Sequence, residues 1–120
     1  VDSKQLQQVF INLITNAADA IKAKGMIIIK TYVEAGQKRT EGNYAVVSVR
    51  DTGCGIPQED LSKIFNPFFT RKADGTGLGL PITQRIIFEH SGIIELESEV
   101  GVGTTFYVKI PVSQALRQEK

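Results

Sequence analysis

Between residues 75 and 80 the chain reads Gly75-Thr76-Gly77-Leu78-Gly79-Leu80, and an apolar run from Pro81 to Phe88 follows at once. This stretch restricts the fold more than any other. Three alternating glycines make a poor regular element, because glycine loses the most conformational freedom on ordering. The apolar run beyond them therefore opens a new element. Backbone without Cβ atoms can approach a ligand closely, and a helix starting there aims unpaired N–H groups and its positive dipole end at the same spot. That is a recipe for holding a phosphate. It is equally the look of a plain hinge, so the rest of the chain has to decide.

The 120 residues suffice for one domain with a core of its own. A net charge of +1 gives no reason to expect nucleic acid or an anionic membrane as partner. No apolar run approaches the ~20 residues of a bilayer crossing, and the N-terminus reads as an amphipathic helix rather than a signal peptide. Cys54 is the single cysteine, which excludes an internal disulfide and agrees with a cytoplasmic domain, whether or not the full-length protein is membrane-anchored. The chain opens on Val1-Asp2-Ser3 at a helix cap, as an excised piece would.

Taken in order, Asp2 or Ser3 caps a helix running to about Lys24, with Gly25 as its stop. Leu6, Val9, Phe10, Leu13, Ile14, Ala17 and Ile21 form its apolar arc. Gln8, Asn12, Asn16 and Asp19 make a polar stripe along the arc's border, either a solvated flank or a local use for carboxamide oxygens. Met26 to Val33 is a strand, Glu34 to Asn43 a hairpin loop, and Tyr44 to Arg50 a second, antiparallel strand. Asp51-Thr52-Gly53-Cys54-Gly55-Ile56-Pro57 ends it. A carboxylate there either faces a ligand or closes its own turn by bonding nearby backbone. Gln58 to Ile64 makes a short helix begun by Pro57.

Phe65-Asn66-Pro67-Phe68-Phe69-Thr70-Arg71-Lys72 reads as an aromatic plug under a surface loop, or as a lid whose cations face a polyanion. Leu78 to His90 is the second long helix, Ile93 to Glu99 a half-exposed strand, residues 100–103 a turn, and Thr104 to Ile110 a last strand broken by Pro111. Residues 1–112 form the domain and 113–120 a polar tail. The order suggests an α+β fold, a mixed sheet with helices on one face.

Four patterns then line up. Asn12-x-x-x-Asn16-Ala17, Asp51-x-Gly53-x-Gly55, Phe65-x-Pro67-Phe68-Phe69 and Gly75-x-Gly77-x-Gly79 occur in that order. Together they resemble the N, G1, F and G2 boxes of the catalytic, ATP-binding domain of sensor histidine kinases, nitrogen-regulation-like ones above all. The wider group is the gyrase, Hsp90, histidine kinase and MutL superfamily. The resemblance spans residues 2 to about 111. It implies a two-layer α/β sandwich, the Bergerat ATP-binding fold, with a mixed, mostly antiparallel sheet and a mobile ATP lid.

It also implies a site. Asp51 would accept a hydrogen bond from the adenine amino group and repel a guanine O6. Gly53 and Gly55 would let backbone pass close to the base. Asn16 would bind Mg²⁺ through its oxygen, and Asn12 would orient phosphate or water. Gly75, Gly77 and Gly79 would cradle the phosphates, with Arg71 or Lys72 reaching the γ-phosphate. Asp19, Ile56, Phe65, Thr70, Thr76, Leu78, Leu80 and Thr105 complete the surroundings of the nucleotide. Asp19 stands where many of these kinases carry Lys, so that phosphate contact is absent.

Hydrolysing members carry Glu four residues before the metal-binding Asn, as general base. Asn12 stands there, and an amide cannot take a proton at neutral pH. The implied activity is transfer of the ATP γ-phosphate to a histidine on a separate dimerisation and phosphoacceptor domain, with a response regulator served indirectly and this piece alone monomeric. His90 matches a structural position after the G2 helix rather than the acceptor, and Cys54 is a packing residue. The rivals are a serine kinase or ATPase on the same fold, and a nucleotide-sensing binding module.

Overall fold

The computed structural model describes residues 3–36, 42–66, 69 and 79–112. Helix α1, Ser3–Ala20, buries Val9, Leu13 and Ala17. Spaced four apart, these lie one above the next and lay a single stripe on the sheet. The helix stops at Ala20 rather than near Lys24. Its orphan carbonyl there is met by tertiary structure, since the Cys54 N–H donates to the Ala20 carbonyl at 3.1 Å.

Strands β1, Ile27–Ala35, and β2, Asn43–Asp51, form the expected antiparallel hairpin. Both run longer than their alternation suggested, so the loop shrinks, and the Gly36 N–H closes it on the Gly42 carbonyl at 2.7 Å. A short helix α2, Gln58–Leu61, follows Pro57, ending before the expected Ile64. Helix α3, Gly79–Glu89, leads into β3, Ile93–Glu99, and β4, Gly103–Pro111. The strand order is β1-β2-β4-β3. The α+β class is as expected. Every described strand pair is antiparallel, so the parallel part of a mixed sheet does not occur among the described residues.

The core lies between one sheet face and the two long helices. Val49 stands opposite Phe106 and Val47 opposite Val108, and Leu13, Ile86 and Ile87 pack onto that layer. Each fully buried side chain of this kind contributes roughly 1.5–3 kcal/mol of transfer free energy. Ile56, Phe65, Phe69 and Leu80 pack at its margin. For Phe65 and Phe69 this is the plug reading. Ile14, from the expected apolar arc, is 38% exposed. On the other face Lys109 Nζ reaches Glu34 at 2.9 Å and Glu95 at 2.7 Å, tying three strands together. Among the described residues no helix is long and apolar enough to cross a membrane.

Candidate nucleotide site

At the end of β2 the side chain of Asp51 is buried beneath the turn that follows. Its Oδ1 accepts hydrogen bonds from the Gly53 N–H at 2.9 Å and the Thr104 N–H at 3.3 Å. Among the described residues Oδ2 has no such partner. The turn-closing reading is thus what the hydrogen bonds show, and it engages one carboxylate oxygen only. Two backbone donors on one oxygen also fix the direction of the second.

The glycines of this turn are pressed by protein. A Cβ on Gly53 would meet the Ala20 carbonyl oxygen at 2.6 Å. Gly55, at φ +78°, lies against the backbone of Glu99 and Val100. Glycine is needed there on both counts. The expected reason, close passage of the base, is not what presses on these two residues. Cys54 is exposed, and its backbone bridges the end of α1 to the β3–β4 turn, its carbonyl accepting from the Gly101 N–H at 2.9 Å.

Asn12 Nδ2 donates to the Gly79 carbonyl at 3.2 Å and to Thr83 Oγ1 at 3.1 Å, while Oδ1 accepts from Gln8 Nε2 at 2.9 Å. The amide expected to orient phosphate or water is thus committed to holding the first turn of α3. That is a correction of role: Asn12 positions the helix to which the glycine stretch leads. Its physical reason is Thr83, a fully buried hydroxyl in an apolar helix that needs a partner. Asn16, half-buried, lies one turn along α1. From Asn12 to Ala20 the helix rises about 12 Å, with Asn16 midway. The polar stripe therefore runs from the start of α3 to the Asp51 turn, and Asp19 is exposed near its far end.

Thr105 is moved off the site. It pairs with the exposed Arg50, on the sheet face opposite Asp51, whereas Thr104 is the direct partner of Asp51. Strand alternation decides this, since a one-residue step changes face. Sequence reading also missed Thr83 and Ser98. Ser98 follows Ile94 and Leu96 at period two, a signal that marks it as inward-facing. Thr70, Arg71, Lys72, Gly75, Thr76, Gly77 and Leu78, and with them the centre of the expected lid, lie outside the described residues. His90 Nδ1 donates to the Ile86 carbonyl at 2.8 Å, binding the ring to the end of its own helix.

Residues 1–114 match the family described as histidine kinase-, DNA gyrase B-, and HSP90-like ATPase. The chain is 46% identical over 111 residues to Sporulation kinase C of Bacillus subtilis, covering 92% of this chain and 24% of that protein. It thus spans about a quarter of that relative. The solved catalytic domain of the histidine kinase ThkA superposes with a TM-score of 0.76 at 40% identity, over 92% of this chain and 68% of that one. Full-length ShkA, solved in complex with AMPPNP, gives a TM-score of 0.74 at 28% identity, over 92% of this chain and 22% of that one.

Proposed function

Because the chain belongs to the histidine kinase-, DNA gyrase B-, and HSP90-like ATPase family, we propose that it binds ATP with Mg²⁺ and hands the γ-phosphate to a histidine on a separate phosphoacceptor and dimerisation domain. Asp51 Oδ2 accepts from the adenine amino group. The glycines up to Gly79 and the start of α3 take the phosphates, with Arg71 or Lys72 on the γ-phosphate. In this reading the domain alone is a cytoplasmic monomer, and the phosphohistidine it makes supplies a response regulator.

Mg²⁺ is assigned to Asn16. Among the described residues there is no cluster of three or more His, Cys, Asp or Glu fit to hold a metal. A neutral carboxamide, completed by phosphate oxygens and water, is a donor set that suits Mg²⁺, which usually keeps several of its waters. Bound there, the ion neutralises charge on the transferring phosphoryl group.

The observation that favours transfer over hydrolysis is Asn12. It stands where a hydrolase needs a proton acceptor, and its amide is spent on Gly79 and Thr83. The test is to incubate the chain with labelled Mg²⁺-ATP and a histidine-bearing helical-hairpin domain, or with a serine-bearing acceptor protein. Label is expected on the histidine partner alone, and Asn16→Ala is expected to abolish Mg²⁺-dependent transfer. Label on serine, or stable phosphohistidine on the isolated chain, would overturn the assignment.

A further inference from the structure

The geometry points to Ser98 as a positioning residue for base recognition, a role that rests on the reading of Asp51 as the adenine contact. Ser98 Oγ is a junction of three groups. The Ile56 N–H donates to it at 2.7 Å, Thr104 Oγ1 lies 2.7 Å away, and the Gly103 carbonyl 3.2 Å away. The hydroxyl has one proton to give and two lone pairs to accept with. Ser98 accepts from the Ile56 N–H and can donate to the Gly103 carbonyl, while between Ser98 Oγ and Thr104 Oγ1 either hydroxyl can be the donor.

The hydroxyl thereby joins two segments that hold Asp51 from opposite sides. Ile56 is the far end of the turn whose Gly53 N–H grips Oδ1. Thr104 supplies the other N–H on the same oxygen. The Cys54 carbonyl and the Gly101 N–H close a second link between the same turns. Within this bracket Ser98 is, besides Asp51 itself, a side chain that bonds both segments. Its removal takes away one of the ties between the turn and β4 and so loosens the direction of Oδ2.

Ser98→Ala takes its acceptor from the Ile56 N–H and a donor from the Gly103 carbonyl without touching Asp51. A residue acting through Asp51 should affect contact with the 6-amino group and little else. ADP and IDP differ at that position, an amino group against a carbonyl. Titration calorimetry with both nucleotides, on the folded chain well below its thermal midpoint, therefore isolates the effect. Ser98→Ala is expected to weaken ADP by roughly tenfold, the equivalent of a lost hydrogen bond, to leave IDP little changed, and so to collapse the ratio. Ser98→Thr, which keeps the hydroxyl, should restore it. If Ser98→Ala does not fold, Ser98→Cys, with a sulfur that accepts only weakly, is measured instead with the same expectation.

A folded Ser98→Ala or Ser98→Cys variant with the unaltered ADP/IDP ratio would sink the role. Asp51→Asn is the control. If it too leaves the ratio intact, the adenine reading itself has failed. If it collapses the ratio while Ser98→Ala does not, only the positioning role has failed.

Discussion

Among the described residues an ideal Cβ on Gly79 meets nothing closer than Asn12 Cγ at 4.0 Å, whereas one on Gly53 or Gly55 runs into backbone. The described residues therefore demand glycine at 53 and 55 but not at 79, at the start of a helix. If Gly79 serves a ligand, replacing it should separate binding from stability. Gly79→Ala is expected to leave the unfolding free energy within about 0.5 kcal/mol, and to weaken ATP at least several-fold while sparing adenosine. Gly55→Ala, forced to φ +78°, should instead destabilise by about 1–3 kcal/mol. Denaturant unfolding and nucleotide titration on both variants check this. Unimpaired ATP binding by Gly79→Ala would remove that glycine from the phosphate site. Asp51 divides in the same way within one side chain, with Oδ1 serving the turn and Oδ2 the oxygen assigned to adenine in the proposed function.

The ends of the two long helices show how elements are set by what they meet. Helix α1 stops four residues before the expected Lys24 because the Asp51 turn supplies its last donor. Helix α3 ends in a Schellman arrangement: the Gly92 N–H donates to the Ile87 carbonyl at 2.9 Å and the Ser91 N–H to Phe88 at 3.0 Å. The left-handed position is normally glycine's. Here Ser91 holds it at φ 60°, while Gly92 faces the Lys109 carbonyl oxygen, which a Cβ would meet at 2.6 Å. Packing has claimed the glycine one residue later than local geometry prefers. Ser91→Gly is therefore expected to stabilise the domain by about 0.5–1 kcal/mol, read as a raised denaturation midpoint. No gain would mean that the serine makes good its backbone strain elsewhere.

At the scale of the molecule, the outer sheet face makes stability sensitive to alkali. Lys109, between Glu34 and Glu95, is held protonated well above its ordinary 10.5 by hydrogen bonds to both carboxylates. Tyr107, donating to Glu97 at 2.8 Å, is raised above its ordinary 10.0. In both cases the fold favours the protonated form. Their stabilisation is thus complete below the unfolded values and lost as pH rises through the folded ones. Thermal unfolding should give a midpoint that falls above about pH 10, with a shallower fall in a Lys109→Met, Tyr107→Phe double variant. An equal slope in that variant would assign the alkaline loss to other groups. The sequence by itself determined the fold class, the order of elements and the polar stripe on α1, because periodicities of 3.6 and 2 are local properties of the chain. It also marked Asp51, Asn12 and Asn16 as the polar residues to watch. Only the tertiary structure decided that Thr104 and not Thr105 grips Asp51, that Asn12 is spent on α3, and where α1 ends. Each of those depends on a group brought from far along the chain, 53 residues away for Thr104 and 71 for Thr83, and no local pattern encodes which residue will stand opposite.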